Sequence, residues 1–231
     1  MFIVAEIGVN WEGNWELLEN LLINLKKIGC NAVKFQAYSL DMIKDHPLRE
    51  RLEKSAITES NVEKINELSK KIGIEWFCTP MYLEAVTFLD PFVKRYKVRE
   101  SDGRILMENL TSPLIERVLD TNKEVIVSVN ENPTKSKFYE NKKIKWLYCV
   151  PKYPCKLEEI NFEEIEKFNG YSNHCDNIVA PLTAAILGAE ILEIHVTADK
   201  NGDFIDNPVS FDLSEMKKLI QSIEATEKIK K

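Results

Sequence analysis

The chain has 231 residues, 37 acidic against 31 basic side chains, a formal net charge of −6, and a hydrophobic share of 44%. That composition belongs to a globular chain, and no basic block exceeds the terminal Lys-Ile-Lys-Lys, so a nucleic-acid surface, which needs clustered positive charge, is excluded. The N-terminal apolar run breaks at Glu6, too early for a signal peptide, and no run reaches the roughly 18 apolar residues of a spanning helix, so no membrane role is expected and a cytoplasmic location is.

Taken in chain order, apolar or alternating runs recur with amphipathic segments between them. A strand is predicted over 2–9 and a helix over 15–28, then a strand over 32–37. The charged stretch 39–60, carrying Pro47, reads as a long loop or an extra helix. A helix over 59–72, a strand over 75–79, a helix over 83–89 and a strand over 95–100 follow. Next come a helix over 112–120, a strand over 124–129, a weak helix near 134–140 and a strand over 144–150. The remainder reads as helix 157–168, strand 170–174, helix 177–187, strand 191–197 and helix 213–229. Gly29, Gly73 and Gly188 stand where left-handed helix caps are needed.

Eight strand and helix units, at about 29 residues each, predict a (β/α)8 TIM barrel spanning 1–231 as one domain. An open doubly wound sheet and a pair of smaller domains are disfavoured, because no Gly-x-Gly-x-x-Gly turn follows the first strand and no Pro/Ser-rich linker interrupts the chain. The five cysteines, Cys30, Cys78, Cys149, Cys155 and Cys175, include no Cys-x-x-Cys pair and are read as reduced packing residues; only Cys175 has a histidine, His174, beside it in sequence.

Strands of a parallel barrel are buried on both faces, so a polar residue within one points to the interior or lies at an end. Alternation sends Glu6, Lys34, Gln36, Lys97, Arg99, Ser128, Ser172, His174, Glu193 and His195 inward. That is more charge than a packed core accepts, because an unpaired buried charge costs several kcal/mol. It implies an anionic ligand, with mutual neutralisation of Glu6, Lys34, Lys97 and Glu193 as structural ion pairs the plainer alternative. His174 and His195 end consecutive strands, roughly 4.8 Å apart, and two neutral imidazoles there suit a divalent metal such as manganese, zinc or iron. His46, in the charged loop, reads as a surface residue.

These residues resemble the barrel domain of the N-acetylneuraminate (sialic acid) synthase family. The resemblance is carried by Ala5-Glu6-Ile7-Gly8-Val9-Asn10 with Gly13, Ala32-Val33-Lys34-Phe35-Gln36, Thr79-Pro80, Tyr96-Lys97-Val98, Tyr153-Pro154, Gly170-Tyr171-Ser172-Asn173-His174 and Glu193-Ile194-His195-Val196-Thr197. It implies condensation of phosphoenolpyruvate with an N-acylated aminohexose to give a nine-carbon 2-keto sugar acid and phosphate. Carried over by position, His174 and His195 would hold Mn2+ or Mg2+. Lys34, Thr79, Lys97, Ser128 and Ser172 would hold phosphoenolpyruvate, Glu6 would orient water or shuttle protons, and Gln36, Tyr153 and Asp206 would contact the sugar.

The chain departs from the family pattern at Trp11, where histidine is usual, at Val98-Arg99-Glu100-Ser101, where small residues and a serine are usual, and at Ile194, where lysine is common. The resemblance covers the barrel and not the C-terminal antifreeze-like domain that, in typical members, lends a partner subunit an arginine for the N-acyl group. A homodimer or a separate lid-domain partner is therefore expected, with Arg99 as a partial substitute for that arginine. Two other readings are a non-catalytic ligand- or partner-binding barrel and a Schiff-base aldolase using Lys34 or Lys97.

Overall fold

A computed structural model describes residues 1–229, so the last two residues of the expected 1–231 domain lie outside the described residues. The strands β1 (Phe2–Glu6), β2 (Ala32–Ala37), β3 (Glu75–Pro80), β4 (Arg95–Val98), β5 (Glu124–Val129), β6 (Ile144–Cys149), β7 (Gly170–Asn173) and β8 (Ile191–His195) pair in sequence order, all parallel. β8 pairs back onto β1, so the sheet closes as the (β/α)8 TIM barrel that the repeat predicts. No helix among the described residues is long and apolar enough to cross a membrane.

The helices form where apolar spacing and end signals coincide. Helix α1 (Trp15–Ile28) starts where the Asn14 side chain accepts from the Leu17 N–H at 3.0 Å and ends at Gly29, whose φ is 104°. It buries Leu18, Leu21, Leu22 and Leu25 against the barrel, each contributing roughly 1.5–3 kcal/mol by leaving water. Helix α2 (Arg49–Ser55) packs its Leu52 with Val9 and Tyr38 in a small separate core, while α3 (Val62–Ile72), α4 (Leu83–Leu89), α5 (Glu100–Met107), α6 (Pro113–Asp120), α7 (Val179–Ile186) and α8 (Leu213–Ile229) follow around the barrel.

Several strands stop short of their predicted ends, and always on the same side. β1 ends at Glu6 rather than Val9 because the chain turns at Gly8, with φ of 49°, and Asn10 N–H bonds back to the Ile7 carbonyl. β4 ends at Val98 because Arg99 already caps α5. β8 ends at His195, after which Val196 N–H bonds the Glu6 carbonyl and Thr197 N–H that of Phe211. Those leftover residues line the loops at the C-terminal mouth.

Two helix expectations need correction. Segment 157–168 is not a helix but two 3-10 turns, Leu157–Glu159 and Ile165–Lys167. Asn161 Oδ1 accepts from the Glu163 N–H at 2.9 Å, a local bond that competes with a helix, and the Asn161 N–H donates to the Tyr148 hydroxyl on β6 at 3.2 Å. The weak helix near 134–140 is reduced to the 3-10 turn Pro133–Lys135. The stretch 39–60 holds a 3-10 turn, Leu40–Ile43, and the extra helix α2.

Candidate active site

All eight strand ends open on one cavity of about 330 Å³. Its floor is a connected polar network built by register: Glu6 lies beside Lys34 and His195, and Ser172 beside Glu193. Lys34 Nζ stands 2.9 Å from Glu6 Oε2, 3.9 Å from Glu193 Oε1 and 3.2 Å from the Thr79 hydroxyl. Lys97 Nζ donates to the Ser128 hydroxyl at 2.7 Å and lies 3.6 Å from Glu193 Oε1. Gln36 donates to Glu6 Oε1 at 2.7 Å, and the Ser172 hydroxyl donates to Glu193 at 2.9 Å. A side chain at Gly8 would put its Cβ 2.9 Å from both the Gln36 amide nitrogen and Glu6 Oε1, so the turn over that pair requires glycine.

The two lysines are not equivalent. Burial pulls the Lys34 ammonium down, but Glu193 and Glu6 together outweigh it, and its pKa lies above the ordinary lysine value. For Lys97 burial dominates, Glu193 offsets only part of it, and the like charge of Lys34 adds to the effect, so its pKa lies below the ordinary value. Against the upward pull of burial, Lys34 and Lys97 hold Glu193 at about 2. The floor is thus the ion-pair network of the plainer reading, with Lys97 the less compensated of its two ammoniums.

Above it stand the imidazoles, with ring centroids 5.4 Å apart. His174 Nδ1 lies 2.8 Å from the Val150 carbonyl, which can only accept, so Nδ1 carries the proton and Nε2 accepts from the Tyr153 hydroxyl at 2.7 Å. Burial, and then the neighbouring His195, hold the His174 pKa down to about 3, which keeps the ring neutral. His195 Nδ1 lies 3.3 Å from Asp206 Oδ2, and that carboxylate outweighs burial and raises the ring above the usual histidine value. Each ring turns Nδ1 toward a protein oxygen, the arrangement that orients metal-binding imidazoles. Among the described residues no group of three or more His, Cys, Asp or Glu side chains could hold an ion, so a cation here would have two protein nitrogens and draw its other ligands from substrate and water.

Glu6, Lys34, Gln36, Thr79, Lys97, Ser128, Tyr153, Ser172, His174, His195 and Asp206 all line this cavity. Arg99 lines it too, but from the rim, its side chain 40% exposed and paired to Asp102 at 2.5 Å. Ser101 does not line it and is exposed on α5. His46 is exposed as expected, yet it borders the mouth, its Nδ1 accepting from the Leu48 N–H at 3.1 Å. Alternation along β6 would have placed Cys149 inward: its Sγ lies 3.6 Å from His174 Nδ1, and burial pushes its thiol up to about 12, out of reach of a thiolate at neutral pH. All five cysteines are free and buried.

A family model described as the NeuB family matches residues 22–231. The chain belongs to the NeuB family. This NeuB-family chain is 32% identical to an uncharacterized protein of Methanocaldococcus jannaschii, over 99% of its own length and 71% of that protein's. It is 27% identical to the N,N'-diacetyllegionaminic acid synthase of Legionella pneumophila, over 99% and 72% of the two chains. A crystal structure of N-acetylneuraminic acid (sialic acid) synthetase from Leptospira borgpetersenii, in complex with citrate, superposes with a TM-score of 0.85 at 26% identity, covering 99% of this chain and 84% of that one.

Within the NeuB chain the unusual residues have structural reasons. Trp11 is buried and donates its indole N–H to the Ser55 carbonyl at 3.0 Å, tying the first loop to α2. Ile194 is fully buried in the main apolar core.

Proposed function

We propose that this NeuB-family chain is a synthase-type transferase that condenses phosphoenolpyruvate with an N-acylated aminohexose, giving a nonulosonic 2-keto sugar acid and phosphate. One observation carries the reading. Two buried ammoniums, Lys34 and Lys97, share the Glu193 carboxylate at 3.9 Å and 3.6 Å and stand beside the Thr79 and Ser128 hydroxyls on the floor of an open cavity. An entering anion gives both ammoniums a further partner, and its oxygens meet donors already fixed in place. Lys34 with Thr79, Lys97 with Ser128, and Ser172 would hold the phosphate and carboxylate.

The methylene carbon of phosphoenolpyruvate attacks the open-chain aldehyde, forming the new carbon–carbon bond as the carbonyl π bond breaks onto its oxygen. That oxygen becomes a hydroxyl by taking up a proton equivalent to the one released from the water, and positive charge is left on the second carbon of phosphoenolpyruvate. Glu6, at the end of β1, stabilises that charge, orients water toward the same carbon and takes one of the water's protons. The tetrahedral intermediate collapses to the ketone as the bond between the second carbon and the phosphate oxygen breaks. Gln36, Tyr153 and Asp206 contact the sugar. His174 and His195 would hold a divalent ion, Mn2+ or Mg2+, which when bound polarises the aldehyde as a Lewis acid. The His174 nitrogen it would take is the one Tyr153 now donates to.

A panel of N-acylated hexosamines assayed with manganese tests the reading. Phosphate release from phosphoenolpyruvate should require both an acceptor and the metal, and fall by about 100-fold or more in His174→Ala. Undiminished release after chelation, or in that variant, would count against it.

The depressed Lys97 ammonium also favours a second reading, a Schiff-base aldolase. Borohydride in the presence of a keto substrate would then trap a covalent adduct on Lys97.

A further inference from the structure

Asp206 lies in the loop after β8, and its Oδ2 reaches back to within 3.3 Å of His195 Nδ1. What holds Asp206 there is a side chain from the other end of the sequence. Asn10, fully buried in the loop after β1, accepts the Asp206 N–H on its Oδ1 at 2.9 Å. Its Nδ2 donates to the Ser210 hydroxyl at 3.0 Å, and that hydroxyl donates in turn to the Asp206 carbonyl at 2.6 Å. The Asp206 backbone is thus fixed on both sides, directly at its N–H and through Ser210 at its carbonyl. Asn10 Nδ2 also donates to the Val196 carbonyl at 2.9 Å, one residue beyond His195.

The pattern calls for a primary amide. It needs two donors and an acceptor from one short side chain, which a carboxylate or a hydroxyl cannot supply together. The amide can point only one way, because the Val196 carbonyl must meet a donor and the Asp206 N–H an acceptor. Asn10 is itself anchored, its own N–H bonding the Ile7 carbonyl at 2.9 Å across the turn at Gly8. One side chain therefore joins the ends of β1 and β8 to the loop that carries Asp206. A carboxylate on Nδ1 fixes the plane of an imidazole and the direction of its Nε2. Asn10 does not line the cavity, so any effect on the site must pass through the groups it holds.

We infer that Asn10, with Ser210 as its relay, is a positioning residue that sets the Asp206 carboxylate against His195 and so prepares that ring for a divalent cation. The inference rests on the two-histidine metal site of the proposed function and adds to it a residue that touches neither ion nor substrate.

The experiment titrates Mn2+ into the full chain by calorimetry, for the wild type, Asn10→Ala, Ser210→Ala, Asp206→Ala and the two double variants that carry Asp206→Ala. Asn10→Ala should weaken Mn2+ binding by about tenfold, the lower end of what losing an orienting partner costs a metal site. Ser210→Ala removes only the relay and should weaken it by about threefold, the size of one hydrogen bond. The affinity for phosphoenolpyruvate, read without metal, should not move in either. In the Asp206→Ala background neither substitution should weaken Mn2+ further, because the carboxylate they act through is gone. Losses that add in the double variants, unchanged Mn2+ affinity in both single variants, or a parallel fall in phosphoenolpyruvate affinity would overturn the inference and leave the metal site standing. If Asn10→Ala does not fold, Ser210→Ala and its double variant decide by the same comparison. A wild type that binds no Mn2+ would overturn the metal site of the proposed function, and this inference with it.

Discussion

Lys97 concentrates the electrostatics of the site. Its ammonium has one hydroxyl at 2.7 Å and shares Glu193 with Lys34, so removing its charge should affect anion binding more than folding. Lys97→Met is expected to weaken phosphoenolpyruvate binding by roughly 10- to 100-fold, the size of a charge-assisted hydrogen bond, as measured by calorimetry. The sign of the pH effect follows from the lowered pKa. Affinity should be full while Lys97 is protonated and should fall, as pH rises, before an ordinary lysine would titrate. Lys97→Arg should lose that alkaline limb, because arginine stays charged. Gly8→Ala is expected to push apart Gln36 and Glu6, lowering kcat by about tenfold or more, as steady-state kinetics would show. Most of these residues were legible because strands alternate: Glu6, Lys34, Gln36, Lys97, Ser128 and Glu193 stand out as polar positions among apolar ones. Tyr153 and Asp206 lie in loops, where no periodicity applies, and only the family resemblance pointed to them.

At the scale of elements, tertiary contact decided what local pattern could not. Glu100-Ser101-Asp102-Gly103 has the composition of a turn, yet it opens α5. Gly103 is needed there because a Cβ would lie 2.5 Å from the Ser128 carbonyl, so the helix rests directly on the strand that presents Ser128. That contact is invisible in a single sequence. The opposite happens at 157–168, whose apolar spacing is helical but whose aromatic residues turn inward, Phe162 and Phe168 packing on Tyr148 at 5.8 Å and 5.5 Å. α8 behaves as its sequence predicts. Asp212 Oδ1 accepts from the Glu215 N–H at 2.9 Å, and Glu215 Oε2 accepts from the Asp212 N–H at 3.0 Å, a reciprocal cap. Asp212→Ala should cost about 1 kcal/mol in urea denaturation. Burial raises the Asp212 pKa, but the Glu215 and Ser214 N–H groups outweigh it and hold it below the usual value. The cap's contribution is therefore present above the unfolded-state pKa and should be lost as pH falls through the lower folded value. An unchanged acid limb in Asp212→Ala would contradict this.

Across the whole molecule, barrel closure converts scattered residues into one site. Glu6 and His195, at opposite ends of the chain, become register neighbours only because β8 pairs with β1. The same closure brings the lysines of β2 and β4 to a single glutamate of β8. Strand order and spacing made the closed barrel readable from sequence, whereas the balance of charge inside it was not, since it depends on how close buried groups approach, 2.9 Å for Lys34 and Glu6 against 3.6 Å for Lys97 and Glu193. The central claim is that this floor holds phosphoenolpyruvate while water adds to its second carbon. Phosphoenolpyruvate labelled with oxygen-18 at the bridging position tests it most directly, by mass analysis of the phosphate released in the presence of an aminosugar. The account predicts that the label leaves with the phosphate, because the carbon–oxygen bond breaks. Unlabelled phosphate, with the heavy atom left behind in the organic product, would contradict it.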